Sequence, residues 1–469
     1  MTAQHIEVVL DAQESLRILG YSEQSNLIDE APGTDHDVVV VGGGQSGITI
    51  AYALRSAGIT RVSVIDAALD EIDLAFRATA RMRTLRTAKT ISGPELGVPA
   101  LTFQVWYESV YGAGTFARIE RIATTDWADY LTWFRAQVGI SVRRGVRLQQ
   151  IEPLGDGRLR LHLRDVHSAD DLLAGHSPRA WTEDTRKVVL ATGVSGTGGP
   201  LIPDVVRDLS SRVFAHTADR IDFSALKGKS VAVLGAAASA FDAAATALEA
   251  GAATVDIYSR RPELVVASAA AAPPNRLVQD VFHQLRDDER WRRRKQIADK
   301  GATVPADSVA RVTAFAHHRI HLAATWRTAT ERDNRVIVDA ADGVATFDFV
   351  IAGTGYQQDP ATRPELASIA PHIARWRDVY VPPPGQESEL LGAAPYLGSG
   401  YEFVERSVGT APWLRDIHVF SIGANVSFGR PVGDIPSLRF GVPHLTAAIT
   451  RDLVLADLAR VRTAPVALR

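Results

Sequence analysis

Gly42-Gly43-Gly44-Gln45-Ser46-Gly47 has the residue types and spacing of a phosphate-holding turn. Gly42 suits the tight turn, Gly44 lets the backbone approach a pyrophosphate, and Gly47 lets the following helix pack on its strand. The helix N-terminus, with Gln45 and Ser46 in its first turn, offers free N–H groups and a partial positive charge. Asp66 stands nineteen residues beyond Gly47, placed to accept hydrogen bonds from a ribose diol.

A second constellation repeats the first in altered form. Gly235, Ala237 and Ala240 keep the spacing with alanine in two glycine places, and Ser239 adds a hydroxyl that can reach a phosphate. Alanine still permits a close approach, so this turn is expected to hold a dinucleotide less snugly. The next strand ends in Ser259-Arg260-Arg261 where the first unit has an acid. Guanidinium forks suit a 2′-phosphate, and the missing carboxylate removes a repulsion, which favours NADPH over NADH. One site with an acid and one with arginines read together as FAD plus NADPH, so the chemistry starts with hydride transfer to a flavin.

The elements that must position these residues can be read around them. Val38-Val39-Val40-Val41 is a short apolar run of the kind found in buried parallel strands. A helix over about 48–57, a Gly58 stop and a strand over 61–65 complete a βαβ unit. Ser230–Leu234, a helix to about Glu249 and Val255–Tyr258 make a second. Two further strands end in small residues, Ala191-Thr192-Gly193 and Gly353-Thr354-Gly355-Tyr356. The expected fold is α/β, with two nested Rossmann-like domains: an FAD-binding domain in 1–200, an NADPH-binding domain in 201–345, and a return to the FAD-binding domain in 346–469.

Composition narrows the chemistry. With 51 basic and 54 acidic residues the formal charge is -3, which leaves no field for nucleic acid. The absence of cysteine removes disulfides, thiolate metal sites and dithiol relays. The acceptors left for flavin electrons are dioxygen, a quinone, a partner protein or a small molecule. His317, His318 and His321 lack the partners of a metal centre, so no metal is expected. The run Arg290 to Arg294 follows Asp287, Asp288 and Glu289 and reads as a solvated charged helix. No export signal or bilayer-spanning stretch is visible, and a cytoplasmic protein is the expectation.

The chain resembles the flavin-containing and N-hydroxylating monooxygenases. The match runs in order through Gly42–Gly47, Asp66, Ala191–Gly193, His216-Thr217, Gly235–Ala240, Arg260 and Gly353–Tyr356. Arg81 to Arg86, with Leu101-Thr102-Phe103 beyond, is similar to the flavin-facing segment of amine and amino-acid N-hydroxylases, which places Met82, Arg83 and Thr84 at the flavin. Gly433 to Leu438 resembles the segment that closes over the flavin pyrimidine edge, which brings in Ser437 and Leu438. The Phe-x-Gly-x-x-x-His fingerprint of Baeyer–Villiger and sulfoxidising members is broken, because Ser210 and Arg212 hold its Phe and Gly places.

The resemblance implies reduction of FAD by NADPH, addition of O2 to give a C4a-hydroperoxyflavin, and transfer of one oxygen to a nucleophilic atom. The favoured atom is the amine nitrogen of a small polar substrate such as an amino acid, in specialised metabolism. Carbon or sulfur oxygenation, or a reductase or oxidase without oxygen transfer, are the alternatives. The flavin does the oxygen transfer, so no catalytic side chain is expected. Arg86, Lys89, Asn425 and Arg430 are candidate anchors for a substrate carboxylate. A homo-oligomer is suggested by analogy alone.

Overall fold

The computed structural model describes residues 11–21, 25–71, 75–167, 177–267 and 280–463. Val38, Val39 and Val40 are fully buried in strand His36–Val41, as a run without polar alternation requires. That strand lies between Val62–Asp66 and the long strand Ala180–Leu190, parallel to both. Val142–Arg144 adds to one side of this sheet, and Leu159–Asp165 with Val146–Pro153 adds antiparallel to the other. The last turns of Ala180–Leu190 also take Ile417–Val419 as a parallel neighbour, which brings the C-terminal part of the chain back to the first sheet. The final helix, Ile435–Thr463, packs on the helix Gln45–Ser56.

The second sheet is wholly parallel, in the order His318–His321, Thr254–Tyr258, Ser230–Leu234, Phe349–Ala352, Phe214–His216. An antiparallel meander from Trp326 to Phe347 covers it through a core that includes Tyr258, Trp326 and Val350. Phe349–Ala352 sits between two strands of this sheet, so the inserted unit runs past the boundary expected at 345. Only beyond Ala352 does the chain leave it. Outgoing Gly199–Pro200 and returning Tyr356–Gln357 then pair antiparallel between the units.

The expected solvated helix forms at Asp287–Lys300, but it is not solvated all round. Arg290 and Trp291 are buried, with the Arg290 guanidinium over the rings of Trp376 and Tyr396. The aliphatic and planar parts of arginine pack well on aromatic faces, so a basic run can still carry a buried seam. No helix among the described residues is long and apolar enough to cross a membrane.

Candidate active site

The two glycine turns share their conformation, their hydrogen bond to the next strand and their close contact. Gly42 has φ +112° and Gly235 has φ +117°. Gly42 N donates to Ile65 O, and Gly235 N donates to Tyr258 O, each at the end of the next strand. A Cβ on Gly42 would stand 2.4 Å from Ala191 O, and one on Gly235 would stand 2.4 Å from Gly353 O. Both conformation and contact therefore exclude a side chain at these two places. Ala191 and Gly353 are equivalent strand ends, bonded through their N–H groups to Val41 O and Leu234 O.

The units differ at the third glycine position. A Cβ on Gly47 would fall 1.7 Å from Gly42 O. Ala240 holds that place in the second unit, where its methyl group faces Gly353, which has no side chain. A Cβ on Gly353 would lie 2.5 Å from Ala240 Cβ. The alanine methyl group and the bare Gly353 thus fit each other at this contact.

Each turn leads into a helix N-terminus without a side-chain cap, at Gly44 before Gln45–Ser56 and at Ala237 before Ala238–Glu249. Unsatisfied N–H groups in a first turn call for an acceptor. Gly43, Gly44, Ser46, Ala191, Gly193 and Gly433 line a cavity of about 200 Å³ over the first helix. Space around Gly44 is open, with nothing within 4 Å of a Cβ placed there. At the far end of this cavity Glu71 meets Arg135 and Arg144. Burial pushes the Glu71 carboxyl up, but Thr132 and the two guanidiniums pull it below the usual carboxylate range. Asp66 accepts from Gly43 N at 2.6 Å and from Ala68 N at 2.7 Å, so it both shapes the turn and keeps lone pairs for a ribose. Ser421 Oγ is buried without a partner near Gly433. An open phosphate cradle, an acid at the strand end and an orphaned hydroxyl fit FAD.

The second cavity, of about 430 Å³, is lined by Gly235, Ala237, Tyr258, Arg260, Gly353 and Trp326 among others. Arg260 is exposed on its wall and has no partner among the described residues. Arg261 also lines the cavity, but its guanidinium lies against Gly301 and donates to Lys300 O, closing the end of helix Asp287–Lys300. Ser239 is half-buried in the first turn. An open helix end with the exposed Arg260 guanidinium on the cavity wall fits NADPH.

Several residues expected at a ligand also bond within the protein. Gln45 donates to Gly433 O at 2.6 Å and accepts from Trp127 Nε1 at 3.1 Å, tying three segments together. Thr192 and Thr354 donate their hydroxyls to Gly196 O and Leu201 O, and Gly355 O accepts from Leu201 N, all within the paired linkers. Ser437 closes its own turn, accepting from Gly433 N and donating to Asp434 O, and Leu438 is fully buried. Met82 packs half-buried on the first core while Thr84 bridges to Ala123.

The four substrate anchors do not converge on one pocket. Arg86 is ion-paired to Asp242, and Lys89 caps Phe116 O and Ile119 O at 2.8 and 2.7 Å. Asn425 accepts from Val432 N, and Arg430 faces Asp280 and the Phe440 ring. Helix ends, a loop and the junction between the units hold these polar groups. Sequence reasoning missed the acids that meet Arg86 and Arg83, Asp242 and Glu249, because they lie 156 and 166 residues away.

Two nested sheets, each with a parallel strand-turn-helix unit that ends in an open phosphate turn, define a flavoprotein of the two-dinucleotide class. A family model described as L-lysine 6-monooxygenase/L-ornithine 5-monooxygenase matches residues 115–313. An FAD-dependent urate hydroxylase of Xanthomonas campestris pv. campestris is 35% identical over 424 residues, 90% of this chain and 87% of that protein. The fold is shared with the reduced ornithine hydroxylase of Pseudomonas aeruginosa, at TM-score 0.67 and 20% identity over 89% of this chain and 99% of that one. It is shared also with the L-lysine 6-monooxygenase of Pseudomonas syringae, at TM-score 0.66 and 19% identity with the same coverage. The chain belongs to the flavin-containing and N-hydroxylating monooxygenase superfamily.

Proposed function

We propose that the protein spends NADPH and O2 to place one oxygen atom on a nucleophilic atom of a small polar, nitrogen-containing substrate, in the first instance an amine nitrogen. The overall change is substrate, O2, NADPH and a proton to oxygenated substrate, NADP+ and water. The observation that carries this reading is the pair of uncapped helix ends in one chain, the second beside a cavity with Arg260 on its wall, unpaired among the described residues. Bound FAD supplies the hydride acceptor and the reaction with dioxygen. Gly42–Gly47 and Asp66 hold its pyrophosphate and ribose. Gly235, the first turn of Ala238–Glu249 and Arg260 hold NADPH. The Met82–Thr84 segment and the Gly433 loop, fixed by Gln45, close the flavin site against water. NADPH supply places the enzyme in the cytoplasm.

A second reading is oxygenation at carbon of an electron-rich heterocycle. It is supported by the relative named for urate, and by the engagement of Arg86, Lys89, Asn425 and Arg430 with protein groups. NADPH consumption and peroxide release, measured with ornithine, lysine, diamines and urate in turn, separate the two. A substrate of the right class raises NADPH consumption and suppresses peroxide. If none of the amines does so and urate does, the nitrogen reading is overturned.

A further inference from the structure

The segment Arg81 to Arg86 belongs to the first unit in sequence, yet its arginines reach across to the second. Arg81 donates to Thr217 O at 2.6 Å and Asp219 O at 2.8 Å, beyond the end of strand Phe214–His216. Arg83 meets Glu249 at 2.9 Å, and Arg86 meets Asp242. Both acids lie on Ala238–Glu249, the helix whose first turn faces the NADPH cavity. Arg311, from helix Ala306–Thr313, completes the tie. Its Nε and Nη2 grip Glu249 at 2.9 and 3.0 Å, while Nη1 donates to Arg81 O at 2.9 Å and approaches Asp242 at 3.4 Å. Asp242 also accepts from Ser308 Oγ at 2.6 Å.

Asp242 is the least exposed charge in the group, at 5%. Its two oxygens divide the work, Oδ2 to Arg86 and Oδ1 to Ser308 and Arg311. A buried carboxylate held by several donors is a rigid point, because each donor restricts the others and any movement leaves a charge without compensation. The outer pair is different. Arg83 is 67% exposed and its bond to Glu249 is screened by solvent.

We propose that Asp242 is a positioning residue for flavin reduction. It fixes the Arg81–Arg86 segment to the helix that binds the NADPH phosphates, and so sets the nicotinamide against the flavin. This rests on the functional reading above. Asp242 is outside the lining of both cavities and acts through Arg86 and Arg311. Hydride transfer depends steeply on the separation of the reacting atoms, so a small relaxation of the segment costs rate without costing affinity.

The test is Asp242→Asn, which keeps the shape and removes the charge. Amide hydrogen exchange over Arg81–Arg86 is read in nucleotide-free protein, and FAD content, NADPH Kd and the anaerobic reduction rate at saturating NADPH are read on the holoenzyme. The expected result is faster exchange, FAD content and Kd as in the parent, and a reduction rate lower by about tenfold or more. Asp242→Glu should restore part of the rate. Reduction at the parental rate, or unchanged exchange in the segment, would overturn the proposal. Should the Asn variant not fold, Arg311→Lys carries the same test, since it keeps the charge but loses the fork. Exchange needs no nucleotide, so a parent that NADPH fails to reduce would strike the functional reading while the exchange result still judges the tie.

Discussion

Ala240 sets its methyl group in the second phosphate turn against Gly353, on the facing strand end, which has no side chain. The hypothetical Gly353 Cβ lies 2.5 Å from Ala240 Cβ and 2.7 Å from Ala240 Cα. Gly353→Ala should therefore overpack the turn and cost about 1–3 kcal/mol in urea unfolding, with weaker NADPH binding. Adding Ala240→Gly should recover most of both. Additive losses in the double variant would show that the two positions do not compensate each other.

Gly44 and Gly47 separate ligand space from packing space. Gly47→Ala puts a carbon into Gly42 O and should give unstable protein without flavin. Gly44→Ala meets no protein atom within 4 Å, so the apoprotein should unfold within about 0.5 kcal/mol of the parent while FAD affinity falls. Thermal unfolding of apoprotein, paired with flavin titration, reads the two effects apart. Equal flavin affinity in Gly44→Ala would place the cofactor elsewhere.

Arg260 and Arg261 are neighbours with different work. Arg260→Ala should raise KM for NADPH about 10- to 150-fold, as loss of a charged hydrogen bond of about 1.5–3 kcal/mol requires, and leave KM for NADH unchanged. Arg261→Ala releases the carbonyl end of helix Asp287–Lys300 and should lower stability more than NADPH preference. Steady-state kinetics with both nucleotides checks the assignment.

His418 links stability to pH. It is fully buried, and burial drives its pKa down to about 3, reinforced by Lys187, against the bond to Gly400 O. The unfolded chain binds this proton near the ordinary value of 6.5, so between the two values the unfolded state holds more protons. Stability is then fully present above 6.5 and is lost as pH falls toward 3. Lowering the pH from 6.5 to about 5 should cost on the order of 2 kcal/mol through this residue. Denaturant unfolding across that range, compared with His418→Gln, should show a flatter pH dependence in the variant.

The strand-turn-helix units were legible because a strand buried on both faces writes a continuous apolar run and its turn demands glycine. Which sheet a strand joins was not. Phe349–Ala352 looks like Val188–Leu190, but its neighbour Ser230–Leu234 lies more than a hundred residues away, and no local feature marks the choice. The fate of the arginines was equally hidden. Arg86 reads the same whether it faces a substrate carboxylate or Asp242, and only the fold brings that acid near. The contact of Ala240 with Gly353 was hidden for a similar reason, since the two lie 113 residues apart.

The central claim is that NADPH reduces flavin bound in this chain and that dioxygen then supplies the atom added to a substrate. Its most direct test reduces the purified holoenzyme with NADPH under anaerobic conditions, then admits isotopically labelled dioxygen together with an amine or urate. The account predicts bleaching of the flavin before oxygen enters, and product carrying one labelled oxygen atom for each NADPH consumed. Flavin that NADPH leaves oxidised, or reduced flavin that returns all its electrons as peroxide with every substrate of both classes, would contradict it.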